Sequence, residues 1–261
     1  MKQPQRPLTL EERKSIQLEM LKEIDAFCRA NDIKYSLAFG TLLGAIRHKG
    51  FIPWDDDVDI MMPLPELLRF KEIFKSSNIE YHDVDNNKYH SFPFSRLVYK
   101  STYSKNGKYF HGDGICVDLY ICLGIPDKSK EYIDGAYPLY EKRIKMMKNR
   151  NRVINYIPIK TIPFFSMIQK QYRNYLCEKS IPYKTAHYFY MIAGPLSEWE
   201  LMCYDYDVFD DLMESKFENL NCLITSHYDK FLNQRYGDYM TPPPVDEQKP
   251  AHGGDYYWKN K

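Results

Sequence analysis

The segment Asp55-Asp56-Asp57-Val58-Asp59-Ile60-Met61-Met62 constrains this chain more than any other. From Asp57 onward acidic and apolar residues roughly alternate, which is the period-two pattern of a β-strand. On a strand, Asp57 and Asp59 point to one face while Val58 and Ile60 point into the core. Two adjacent carboxylates repel unless a cation sits between them. Hard oxygen donors of this kind suit Mg²⁺ or Mn²⁺ together with bound phosphate. A calcium-loop reading fails on the same residues. Asp55, Asp57, Asp59 and Glu66 match the loop's first, third, fifth and twelfth positions, but Ile60 stands where the sixth must be Gly.

The flanks extend this chemistry. Tyr35 to Phe39 is a short strand candidate, Gly40 and Thr41 follow at a turn, and Leu42 to Arg47 forms one or two helical turns. Exposed amides at such a helix start can hold a phosphate. A third carboxylate, Asp118, interrupts the apolar run Ile115-Cys116-Val117-Asp118-Leu119-Tyr120. A lone Asp in a buried strand is costly unless it is paired or metal-bound. Asp57, Asp59 and Asp118 converging from two strands would make a two-metal site for in-line phosphoryl displacement. Asp55 and Asp56 are left with supporting roles. Arg47 suits bidentate phosphate contact, or else a salt bridge to the nearby aspartates. His48 and Trp54 are further donor-site candidates, each with a structural alternative. Lys249 and His252, on the polar tail, could fold over phosphate.

The rest of the chain predicts an α/β protein of α+β character, with a mixed-sheet core flanked by helices and a largely helical C-terminal part. The division falls at 1–125, a catalytic core, and 126–261, a substrate-binding part whose end returns to the active site. Thr9-Leu10-Glu11-Glu12 fits a capping box and starts a helix running to about Ala30. Leu64 to Ser77 reads as a helix with Pro65 in its first turn, Asn78 to Lys88 as a polar loop, and Phe94–Lys100 and Ile115–Ile121 as strands. Tyr132 to Arg152 reads as a helix, basic towards its end. Further helices follow from Ile162, and Thr241-Pro242-Pro243-Pro244 cannot be helix interior.

Composition narrows the partners. The 36 basic and 35 acidic residues nearly cancel, which argues against a duplex nucleic-acid binder. The 23 Tyr, 14 Phe and 3 Trp offer aromatic faces for sugar rings, bases or quaternary ammonium groups. The six cysteines have neither C-x-x-C nor zinc-finger spacing. With no signal peptide and no membrane-spanning run, the expectation is a cytoplasmic protein. The basic residues Lys142, Arg143, Lys145, Lys148, Arg150 and Arg152 allow peripheral contact with the inner face of a membrane.

The block from Gly40-Thr41-Leu42-Leu43-Gly44 through Arg47-His48-Lys49-Gly50 to Trp54-Asp55-Asp56-Asp57-Val58-Asp59 closely resembles the LicD family, which is similar in turn to the fukutin-related transferases. Val117-Asp118-Leu119 matches the family's third acidic strand, and Tyr236-Gly237-Asp238-Tyr239-Met240 with the following prolines matches its C-terminal segment. The resemblance implies a nucleotidyltransferase-like core. It also implies transfer of a phospho-alcohol, typically phosphocholine from CDP-choline or a related CDP-alcohol. The acceptor would be a hydroxyl of a cell-surface glycan precursor such as teichoic acid or lipopolysaccharide, which is lipid-linked, and CMP would be released. Asp57, Asp59 and Asp118 would be metal ligands, Asp118 also the acceptor's base, and Gly40 and Thr41 would hold donor phosphate. Where the family's third acidic strand often continues into Phe-Pro, this chain has Tyr120-Ile121-Cys122. Two other readings remain: nucleotidyl transfer releasing pyrophosphate from an NTP, and a non-catalytic glycan- or choline-binding module.

Overall fold

The computed structural model describes residues 6–105, 114–127, 135–142, 145, 163–193, 196–250 and 253–259. Helix α1 (Leu10–Ala30) begins as the capping box requires: the Thr9 hydroxyl accepts from the Glu12 amide at 3.2 Å, and the Glu12 carboxylate accepts from the Thr9 amide at 2.8 Å. Its apolar face, including Ile16, Met20 and Ile24, is buried in the main core.

The core is a seven-stranded mixed sheet. Its strands are β1 (Ser36–Leu37), β2 (Asp59–Pro63), β3 (Ile79–His82), β4 (Ser95–Tyr99), β6 (Cys116–Ile125), β7 (Tyr188–Ile192) and β8 (Cys203–Tyr204). β6 is the long central strand. β2 runs parallel along one edge of it; β4 and β7 run antiparallel along the other, one after the other. β1 closes the β2 side, β3 pairs β4, and β8 pairs β7. Every residue of β2 is buried, as expected of a strand covered on both faces. Helices α2 (Phe39–Arg47) and α3 (Leu64–Ile73) pack against it.

Several sequence expectations are corrected. The polar stretch after Ser77 contains edge strand β3, where Ile79 is buried and Glu80 exposed in period-two alternation. Among the described residues, the C-terminal part carries strands as well as its helices. It has helices α4 (Pro163–Glu178) and α5 (Tyr228–Tyr236), but also β7, β8, a hairpin of β9 (Leu212–Phe217) and β10 (Leu220–Thr225), and β11 (Asp255–Trp258). β11 pairs β5 (Thr102–Lys105). Two of the main sheet's strands, β7 and β8, therefore come from beyond residue 125.

Of the helix expected over Tyr132–Arg152, residues 137–142 and 145 are helical, and the remainder lies outside the described residues, as does most of the basic stretch and His252. None of the six cysteines forms a disulfide. No helix among the described residues is long and apolar enough to cross a membrane.

Candidate active site

The acidic run enters the sheet at Val58, whose carbonyl accepts from the Asp118 amide at 2.8 Å. Asp59 and Asp118 are then direct partners across the parallel β2–β6 pair, so both side chains rise from the same face of neighbouring strands, about 4.8 Å apart. Both are nearly buried, at 5% and 7% exposure. Asp57 lies just before β2 rather than on it, yet Asp55, Asp57 and Asp59 share one cavity of about 330 Å³ with Gly40, Phe39, Tyr120, Ala193, Met202, Arg235 and Tyr236. The alternation continues backward past the strand's end. Asp55 faces the cavity, while Asp56 points away, to Arg13 at 3.6 Å and the Gly253 amide at 3.0 Å.

The electrostatics are those of crowded like charges. Burial, then the charges of Asp57, Asp118 and Asp55, pushes the Asp59 carboxyl well above the usual carboxylate range, against a hydrogen bond from Tyr120. Burial and Asp57 push the Asp55 carboxyl up to about 8. The Asp59 Oδ1 atom is buried and accepts no hydrogen bond. An orphaned carboxylate oxygen among repelling carboxylates is the donor chemistry that a hard divalent cation satisfies. That chemistry fits Mg²⁺ or Mn²⁺ at Asp57 and Asp59. Among the described residues, however, no three such side chains are gathered into a finished metal cage. Asp118 is held by Arg96, with Nε 2.9 Å from Oδ1 and Nη2 donating to Oδ2 at 3.2 Å. Arg96 is 1% exposed, is Asp118's direct partner on β4, and stacks over Phe92 at 4.1 Å.

The other sequence candidates divide. Gly40 lines the cavity, but it belongs to the first turn of α2 rather than to a preceding turn. Phe39, the first residue of α2, has a left-handed φ of 43°, a strained geometry that clusters at functional sites. A Cβ at Gly40 would sit 2.5 Å from Asp55 Oδ2, so any other residue there would displace this carboxylate. Thr41 is buried, and its hydroxyl accepts from the Asp59 amide at 2.8 Å. It fastens α2 to β2 rather than facing the cavity.

Arg47, His48 and Trp54 do not line the cavity. Arg47 Nη1 donates to the Tyr239 carbonyl at 2.6 Å, and His48 meets Trp54 edge-on at 6.2 Å. Sequence reasoning gave no site role to Arg96 or Arg235, and named Tyr120 and Tyr236 only within longer segments. Arg96 carried the signal that found Asp118: it is the single charge of an apolar strand.

A family model described as the LicD/FKTN/FKRP nucleotidyltransferase domain matches residues 32–174. The lipopolysaccharide cholinephosphotransferase LicD of Haemophilus influenzae is 31% identical, over 96% of this chain and 98% of its own length. An uncharacterised protein of Rickettsia typhi is 29% identical over 53% of this chain and 40% of its own length.

Proposed function

Since the chain belongs to the LicD/FKTN/FKRP family, we propose that it is a phosphotransferase moving phosphocholine from CDP-choline to a hydroxyl of a cell-surface glycan, and releasing CMP. Full-length similarity to a lipopolysaccharide cholinephosphotransferase supports a lipopolysaccharide-type acceptor. The observation that carries the reading is the register of β2 and β6, which sets Asp59 beside Asp118; Asp57 and Asp59 line the cavity, and Asp118 lines the adjoining cleft with Asp57 and Arg96.

Asp57 and Asp59 would hold a divalent cation, which would neutralise phosphate charge as the phosphorus is displaced. Gly40 opens the α2 N-terminus to the donor, where unpaired amides favour an anion. Asp118 is fixed by the Arg96 guanidinium and approached by the Cys116 thiol, whose Sγ lies 3.6 Å from Oδ1. As the carboxylate beside Asp59 on the neighbouring strand, Asp118 would accept the proton of the acceptor hydroxyl. The acceptor oxygen then attacks the phosphorus nearer the alcohol, and the bond to CMP breaks.

Asp57→Asn and Asp59→Asn should each reduce CMP release by at least about a hundredfold while leaving the fold intact. Turnover near the wild-type level with Mg²⁺ present would remove the metal-site assignment. A panel of CDP-alcohols with CMP as readout identifies the transferred alcohol. Pyrophosphate released from an NTP would instead identify a nucleotidyltransferase.

A further inference from the structure

A donor with a diphosphate brings negative charge into a cavity already lined by Asp55, Asp57 and Asp59. A cation at two of these carboxylates leaves part of that charge unanswered. Among the described lining residues the single cationic side chain is Arg235. It occupies the last turn of α5, which Gly237 ends at a left-handed φ of 64° with its amide donating to the Asn233 carbonyl at 2.9 Å. Because the helix stops there, Arg235 and Tyr236 are delivered to the cavity rather than carried past it.

The surroundings hold Arg235 in place. The side-chain amide of the preceding residue, Gln234, donates to the carbonyls of Glu200, Leu201 and Cys203 at 3.2, 3.1 and 2.9 Å. This fixes α5 against the segment before and into β8. Arg235 Nη1 donates to Glu198 Oε2 at 2.7 Å, and its guanidinium lies 5.8 Å from the centre of the Phe39 ring. Phe39 is the strained residue that starts α2, so the α2 amide end and the Arg235 fork flank the same space. No described residue takes the donors on Nε and Nη2. An arginine offers five N–H donors in a fork that matches phosphate oxygens, so these donors can face a ligand while Glu198 keeps Nη1. Arg47, the arginine that the sequence singles out, is engaged by the Tyr239 carbonyl instead.

We propose that Arg235, seated by Glu198 and the Phe39 ring, binds the phosphates of the nucleotide donor, an assignment that rests on the CDP-alcohol reading above. The simpler role would be a structural tie between α5 and Glu198. Calorimetry with CDP and with cytidine in Mg²⁺, beside steady-state kinetics with CDP-choline, separates the two. Arg235→Ala should weaken CDP about tenfold or more, leave cytidine within about twofold, and raise donor KM without changing acceptor KM. Arg235→Lys keeps the charge and the helix but not the fork, and should fall between wild type and Ala. Glu198→Gln keeps an oxygen acceptor for Nη1 but loses the charge that seats the fork, so it should weaken CDP less than Arg235→Ala and leave cytidine unchanged.

Two outcomes overturn the assignment alone: CDP binding unchanged in both Arg235 variants, or cytidine weakened as much as CDP by Arg235→Ala. Wild-type protein that binds no CDP and releases no CMP from any CDP-alcohol overturns the donor reading as well.

Discussion

Arg96 and Asp118 face each other from adjacent strands with almost no solvent between them. A buried ion pair contributes little compared with an apolar pair of the same volume, but removing one partner strands the other charge. Arg96→Met should therefore lower unfolding free energy by about 3–5 kcal/mol in denaturant melts. Adding Asp118→Asn to that variant should recover a large part of the loss, because the stranded charge is gone. The double variant should still release no CMP. Strict additivity of the two substitutions would mean that the pair is not energetically coupled.

At the level of elements, α2 decides how close the donor comes to the carboxylates, and its two interior glycines serve different ends. Ala is a better helix former than Gly by about 1 kcal/mol. At Gly40 that gain is set against displacement of Asp55, whose Oδ2 would lie 2.5 Å from the new Cβ. Gly40→Ala should leave the thermal midpoint nearly unchanged and cut CMP release about tenfold or more. At Gly44 the new Cβ would collide with the Gly50 backbone carbonyl, which cannot swing aside. Gly44→Ala should therefore lower stability by about 1–3 kcal/mol. Equal effects of the two on midpoint and turnover would refute this division.

Where a local rule suffices, these elements are legible in the sequence. The Thr9–Glu12 box gives α1, and alternation about Asp57 and Asp118 gives β2, β6 and two of the three carboxylate positions on strands. The rest depends on tertiary context. No local rule announces a helix that opens on Phe39 at positive φ. The β9–β10 hairpin turns through Glu218 at a φ of 54°, without the Asn-Gly or Asp-Gly pair that signals a tight hairpin. Arg235 reads as an ordinary polar helix residue until the fold sets it across the cavity from Asp59.

The whole molecule brings its two ends together against the acidic strand. The Leu8 amide donates to the Tyr256 carbonyl at 2.7 Å, and Arg13 from α1 and the Gly253 amide both meet Asp56. Global stability therefore answers to the charge state of the neighbouring site. Burial and the charge of Asp57 raise the Asp55 carboxyl from its ordinary 3.8 to about 8 in the folded protein, and Asp59 is raised in the same direction. The folded state then binds more protons than the unfolded chain between about pH 4 and 8, so these groups stabilise below that window and lose their contribution as pH rises through it. Other groups act in the opposite sense. Burial holds the His90 imidazole down to about 3, and Lys71 and Lys170 hold the Asp85 carboxyl below its usual range against its own burial. Both contributions are lost in acid. Without divalent metal, the thermal midpoint should peak in mildly acidic buffer and fall towards about pH 8.5. A cation at Asp57 and Asp59 competes with those protons, so the stabilisation by Mg²⁺ should grow as pH rises across the same window. Asp55→Asn should flatten the alkaline limb in EDTA. A Mg²⁺ shift independent of pH, or an Asp55→Asn limb as steep as wild type, would show that the crowded carboxylates do not govern stability in this range.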